Sequence, residues 1–250
     1  THFDRNGFGY TFDRTNGSLL VAEKMHPFVN WATSVDLSTG IPQKDPKYSA
    51  HQDTTTKNIC PAALGVKDQQ PAAYSPKTKL FYVPLNHLCM DYDVVEAKYT
   101  AGQPWVGAGL TMHPGPDGVT GGFMAWNGLT GKSAWYNKEP YSIWSGVLAT
   151  SSNLVFYGTL DRWIKAVDAK SGKNLWQFQI GSGVIGNPFT YANKGKQYVG
   201  VMSGIGGWAG IAINLGLTED ADGAGAAGAY RELTKWNAAP GGGTVNVFSL

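Results

Sequence analysis

Hydrophobic and polar positions alternate along much of this chain. Over 164–169, Ile164, Ala166 and Asp168 alternate with Lys165, Val167 and Ala169. After a polar turn, Leu175 and Trp176 open a second alternating run within 173–180. A period of two is the pattern of a strand. The turn holds Asp168 and Gly172: a carboxylate that accepts backbone N–H bonds, and a residue free to take positive φ. The unit predicted is a β-hairpin with a large aromatic at a fixed place. The same grammar recurs at Asp13/Gly17, Asp36/Gly40 and Asn127/Gly131, each pair four residues apart. Apolar runs at 79–87, 153–161 and 196–204 predict further strands, and only 223–236 carries a trace of helical period.

Two hairpins agree closely: "AWNGLTGKSAW" at 125–135 and "AVDAKSGKNLW" at 166–176. Four-stranded units of about 40 residues are the sequence sign of β-propeller blades. One blade cannot bury both of its faces, so neighbours must stack on it. Trp135 and Trp176 are then expected between adjacent blades, where an indole covers a large apolar area. The alternative is a β-sandwich with unrelated hairpins. Agreement at Ala, Gly-Lys and Trp in both copies favours the propeller. Residues 36–120, rich in Pro, Lys and Asp, read as long loops, which leaves room for about four blades in 250 residues.

Composition narrows the function. Only 15% of residues are charged and the formal net charge is +2, which argues against phosphate-driven nucleic-acid binding. No run approaches the roughly 20 apolar residues of a membrane helix. The opening "THFDRNGFGY" has neither Met nor an apolar signal core, so the chain is expected to start inside a larger one. Cys60 and Cys89 are either a disulfide of an exported protein or two reduced thiols. They form no CxxC, which disfavours a zinc or thioredoxin-like site, and no CxxCH marks a covalent haem. The five histidines (His2, His26, His51, His87, His113) show no metal-ligand spacing and read as structural or solvated. The carboxylates that open 216–230 lack the calcium-loop pattern and read as a surface loop.

The hairpin pattern Ala-x-Asp-x-x-(Ser/Thr)-Gly-Lys-x-x-Trp resembles the tryptophan-docking motif of the pyrroloquinoline quinone (PQQ) dehydrogenases. More specific stretches agree: 4–17 "DRNGFGYTFDRTNG", 59–92 with "ICPAALGVKDQQPAAYSPKTKLFYVPLNHLCMDY", 99–116, 144–161 and "GKQYVGVMSGIGGWAGI" at 195–211. Together they resemble the large subunit of the methanol and ethanol dehydrogenases, nearest to the lanthanide-dependent branch. In the calcium-dependent branch the position of Asp68 is usually Asn.

The resemblance implies an all-β fold in which residues 1–250 are the C-terminal half of one eight-bladed propeller. It implies a periplasmic enzyme that oxidises primary alcohols to aldehydes by hydride transfer to metal-bound PQQ, with cytochrome c as acceptor. The ion implied is a lanthanide, or calcium in the alternative. Its ligands and the general-base Asp are expected upstream of Thr1, so that none lies in this chain and the fragment alone is inactive. Arg5 is implied to stabilise the reduced quinone, and Asp68, Trp144, Gly207 and Trp208 to join it in holding the cofactor. Cys60 and Cys89 match a family disulfide, and the full-length family is usually dimeric. The second reading, from another class, is a non-catalytic repeat propeller serving as a protein-binding scaffold. Arg5, "GGWAG" and "CPAALG" argue against it, because a scaffold has no use for them.

Overall fold

The computed structural model describes residues 1–102, 107–207, 209–210 and 242–249. Strands β1 (His2–Phe3), β2 (Phe8–Phe12) and β3 (Leu19–Lys24) form a first sheet, followed by the hairpin β4 (Ala32–Val35) and β5 (Pro42–Lys44). Next come β6 (Thr55–Ile59), β7 (Ala73–Ser75), β8 (Leu80–Asn86), β9 (Leu88–Val94), β10 (Ala108–Pro114), β11 (Gly121–Asn127) and β12 (Lys132–Glu139). They interleave into a four-stranded sheet, β12-β11-β8-β7, and a three-stranded arm, β10-β9-β6. Strands β13 (Val147–Ala149), β14 (Leu154–Gly158), β15 (Trp163–Asp168) and β16 (Asn174–Gln179) form a second four-stranded sheet, in chain order. Strands β17 (Phe189–Asn193), β18 (Lys196–Ser203) and β19 (Thr244–Ser249) form the last. All pairings between these strands are antiparallel.

The stretch 36–120, expected to be mostly long loops, therefore contains β5, β7 and the whole of the arm. The arm is regular, with β9 and β10 paired from Leu88↔Pro114 to Val94↔Ala108. Its strands are only partly buried and carry Asp, Gly and Pro, so their alternation reads as loop.

The four hairpin turns share one geometry. Asp13 Oδ1 accepts from the Thr15 N–H at 2.8 Å, Asp36 Oδ1 from Ser38 at 2.8 Å, Asn127 Oδ1 from Leu129 at 2.9 Å and Asp168 Oδ1 from Lys170 at 3.1 Å. The glycine four residues on donates back to the first residue's carbonyl in each case. Hydrogen bonds from Thr15, Ser38 and Ser171 hold the three carboxylates below their ordinary pKa.

Inner strands are buried on both faces, which is what stacked blades require. On β11, Met124 and Trp126 pack towards Phe8, Ala22, Val83 and Leu85, while Phe123 and Ala125 pack towards Tyr82, Val155, Tyr157 and Val167. On β14, Phe156 turns the other way, to Ala166 and Val199. Each such apolar side chain contributes about 1.5–3 kcal/mol on burial. The fold is all-β, a set of four successive blade-like sheets that does not close into a ring among the described residues. No helix among those residues is long and apolar enough to cross a membrane.

Trp135 makes the junction between the two four-stranded blades. Its Nε1 donates to Ala169 O at 3.1 Å, and its ring lies over Gly172, where an added Cβ would stand 2.6 Å from Cε3. Trp176 is 38% exposed and meets Phe248 of β19 edge-on, with ring centroids 5.0 Å apart. Gly17 and Gly172 occupy equivalent turns with φ of +79° and +71°, but nothing lies within 4 Å of a Cβ on Gly17. Gly17→Ala is therefore expected to cost about 1 kcal/mol from the left-handed backbone alone. Gly172→Ala is expected to cost about 2–3 kcal/mol, because overpacking against the indole is added. Urea denaturation of the two variants measures the difference, and equal losses would mean that the indole does not seal the junction.

Candidate cofactor site

The site is built on the segment 60–70, between β6 and β7. Cys60 is disulfide-bonded to Cys89 of β9 across a sequence separation of 29, which stabilises the fold by roughly 3–4 kcal/mol on the chain-entropy estimate. The Ala62 N–H donates to Leu88 O at 2.7 Å, the Asn86 N–H to Val66 O at 2.7 Å, and the Val66 N–H to Arg5 O at 3.0 Å. The segment is thus clasped by the β8–β9 corner on one side and by the backbone of Arg5 on the other. Gly65 permits the second contact. Its φ is +74°, and a Cβ there would stand 2.7 Å from the Arg5 Cβ, a distance no side chain tolerates.

Arg5 and Asp68 meet across this segment. The Arg5 Nη2 donates to Ala63 O at 2.7 Å, and Nη1 lies 3.7 Å from Asp68 Oδ1. The Arg5 side chain is 56% exposed against 17% for Asp68, so the guanidinium is held along one edge and presents its other donors outward. Lys67 spends its hydrogen bonds on backbone carbonyls. Its buried ammonium donates to the carbonyls of Asp68, at 3.2 Å, and of Gln70. Burial lowers the Lys67 pKa, opposed by the nearby Asp68.

Gln70 extends the frame, donating from Nε2 to Ile143 O at 3.1 Å, one residue before Trp144. Trp144 is 2% exposed and packs with Ala62, Leu64, Leu88, Leu160 and Ala209. It therefore belongs to the packed layer that carries residues 62–64. Gly207 has φ +54°, and among the described residues a Cβ built on it would meet only the Gln69 Nε2, 3.8 Å away. Trp208 lies outside the described residues. The structure thus gathers Arg5, Asp68, Trp144 and Gly207 around the single segment 62–70. A fixed cation, a paired carboxylate and a glycine that no described residue crowds suit a flat ligand rich in anionic oxygens.

Two groupings have no counterpart in the sequence reading. Glu139 of β12 is buried, accepts from the Tyr157 hydroxyl at 2.6 Å and pairs with the Lys165 Nζ at 2.7 Å. Burial and the neighbouring Glu139 raise the Tyr157 pKa well above its ordinary value. In addition, His26 and His87 lie ring to ring with centroids 4.3 Å apart, beside Asp117. Chain distance hides both groupings: their members lie on separate strands and turns, with no local spacing to signal them.

The chain is similar to known proteins. The profile of the family described as "Glucose/ethanol/alcohol dehydrogenase, beta-propeller domain" matches residues 124–199. The chain is 56% identical to the lanthanide-dependent methanol dehydrogenase of Methylorubrum extorquens, over 100% of the chain and 43% of that protein. It is 46% identical to methanol dehydrogenase [cytochrome c] subunit 1 of the same organism, over 100% of the chain and 41% of that protein. The solved structure of a europium-containing methanol dehydrogenase superposes with a TM-score of 0.94 at 47% identity, covering 100% of this chain and 44% of that one. The chain thus spans less than half the length of the relatives it matches. On the full-length agreement of sequence and of backbone, the chain belongs to the PQQ-dependent methanol and alcohol dehydrogenase family.

Proposed function

We propose that residues 1–250 are the C-terminal half of the propeller of a periplasmic PQQ-dependent alcohol dehydrogenase, acting on methanol or another small primary alcohol. Cytochrome c is the electron acceptor, the full-length protein is a homodimer, and the resident ion is a lanthanide, with calcium as the alternative. The ion's ligands and the general-base Asp belong to the longer protein. The observation that carries this reading is Arg5, an outward-facing guanidinium anchored at Ala63 and paired with Asp68.

The residues present fit a quinone bearing carboxylates. Arg5 offers forked donors, and no described residue crowds Gly207. When bound, the quinone supplies the two-electron acceptor and the ion a Lewis acid. The role of this chain is to bind and orient. Arg5 would donate to quinone oxygens and would balance the negative charge they gain on reduction. Asp68 would aim the guanidinium, and Trp144, Gly207 and Trp208 would complete the set of residues that hold the group. The 62–70 segment keeps these groups rigid through the disulfide and its backbone clasps.

The test is reconstitution of the full-length polypeptide with PQQ and either a lanthanide or calcium, assayed with methanol and ethanol and with cytochrome c as acceptor. The expected result is alcohol oxidation that requires both additions, and none from residues 1–250 alone. Full-length protein that neither takes up PQQ nor turns over any primary alcohol would favour the scaffold reading instead.

A further inference from the structure

We propose that His26, His87 and Asp117 form a binding site for a first-row divalent transition ion, zinc foremost. The three residues come from separate places: His26 just after β3, His87 between β8 and β9, and Asp117 in the turn between β10 and β11. Each brings one ligand-type atom into a group whose members all lie within 4.8 Å of one another.

The unmet polar atoms there point to a missing ligand. His87 is fully buried, and its Nε2 has no hydrogen-bond partner among the described residues. Both carboxylate oxygens of Asp117 are shielded from solvent and also lack one. The nearest cationic or imidazole nitrogens, His87 Nδ1 and Lys138 Nζ, each stand 3.7 Å from Asp117 Oδ2, beyond hydrogen-bond length. A shielded carboxylate and a shielded imidazole nitrogen left without partners are costly and rare. One coordinated cation satisfies both.

The donor set selects the ion. Two imidazoles and one carboxylate suit zinc and its neighbours, whereas calcium and magnesium take oxygen ligands. The Tyr136 hydroxyl lies 3.1 Å from His87 Nδ1. It is the kind of outer partner that fixes a ring's orientation. Tetrahedral bonds of about 2.0–2.1 Å bring ligand atoms to roughly 3.4 Å of each other, a contraction within reach of side-chain rotation. Lys138, 59% exposed, is free to swing into solvent as the ion enters, and water fills the fourth position.

An ion here fixes more than three side chains. His87 stands between Asn86 and Leu88, whose backbones hold the 62–66 part of the cofactor segment.

The test uses the full-length holoprotein in metal-depleted buffer, titrated with Co²⁺ as a coloured zinc substitute and monitored by visible absorption, with thermal unfolding followed with and without Zn²⁺. The expected result is a saturable d–d band of one ion per chain, displaced by Zn²⁺, and a zinc-dependent rise in Tm. His26→Ala and Asp117→Asn are each expected to weaken Co²⁺ binding by about 100-fold or more. Lys138→Ala, which removes the competing ammonium, is expected to tighten it. Absence of the band in the unaltered protein, or a band that survives both ligand substitutions, would overturn the proposal.

Discussion

Arg5→Ala in the full-length protein is expected to weaken PQQ binding by roughly 10- to 150-fold, the value of one hydrogen-bonded charge. Turnover of the loaded enzyme is expected to fall by about 10²–10³, the usual loss when a donor to developing oxyanion charge is removed. Arg5→Lys is expected to recover little of either, because an ammonium keeps the charge but not the fork that reaches two oxygens. The fold should barely notice. The side chain is more than half exposed, and although its bond to Ala63 O is lost, the clasp through the Arg5 carbonyl to the Val66 N–H remains. Equilibrium titration with PQQ, a single-turnover rate and a melting curve separate the three effects. An affinity unchanged by Arg5→Ala would remove Arg5 from the site.

Glu139→Ala is expected to destabilise the protein by about 3–5 kcal/mol, the usual cost of leaving one partner of a buried ion pair alone. The Lys165 side chain is only 17% exposed and the Tyr157 ring is fully buried, so neither finds water easily once the carboxylate is gone. At roughly 2–4 °C per kcal/mol for a chain of this size, Tm should drop by about 6–20 °C. The pair also joins two blades, β12 to β14 and β15, so the loss falls on an interface. A triple change, Glu139→Leu with Lys165→Met and Tyr157→Phe, replaces the whole network by apolar groups and is expected to restore most of the stability. Paired denaturation curves decide the matter: a loss below about 1 kcal/mol for Glu139→Ala would mean that solvent screens the pair.

Local order was legible in the sequence wherever it rests on neighbours in the chain. The Asp13, Asp36, Asn127 and Asp168 turns form from residues within five of each other, so composition and spacing announce them. The arm β6-β9-β10 was not legible, because half-exposed strands with interspersed Asp and Gly lose their alternation. Arg5, Asp68, Trp144 and Gly207 were nameable only through resemblance. Nothing in their spacing says that the 62–70 segment brings them together. The His26–His87–Asp117 group and the Glu139–Lys165–Tyr157 network had no signal at all. Each depends on several blades and turns being in place, and histidines far apart in sequence carry no ligand spacing to count.

The central claim is that the quinone lies against the outward edge of Arg5, over the 62–70 segment. An experimental structure of the full-length protein with PQQ bound tests it most directly. The expected result is a quinone whose oxygens lie about 2.7–3.1 Å from the Arg5 guanidinium, with Asp68 still beside that group and the space over Gly207 filled. A quinone bound elsewhere, with Arg5 still facing solvent, would contradict it.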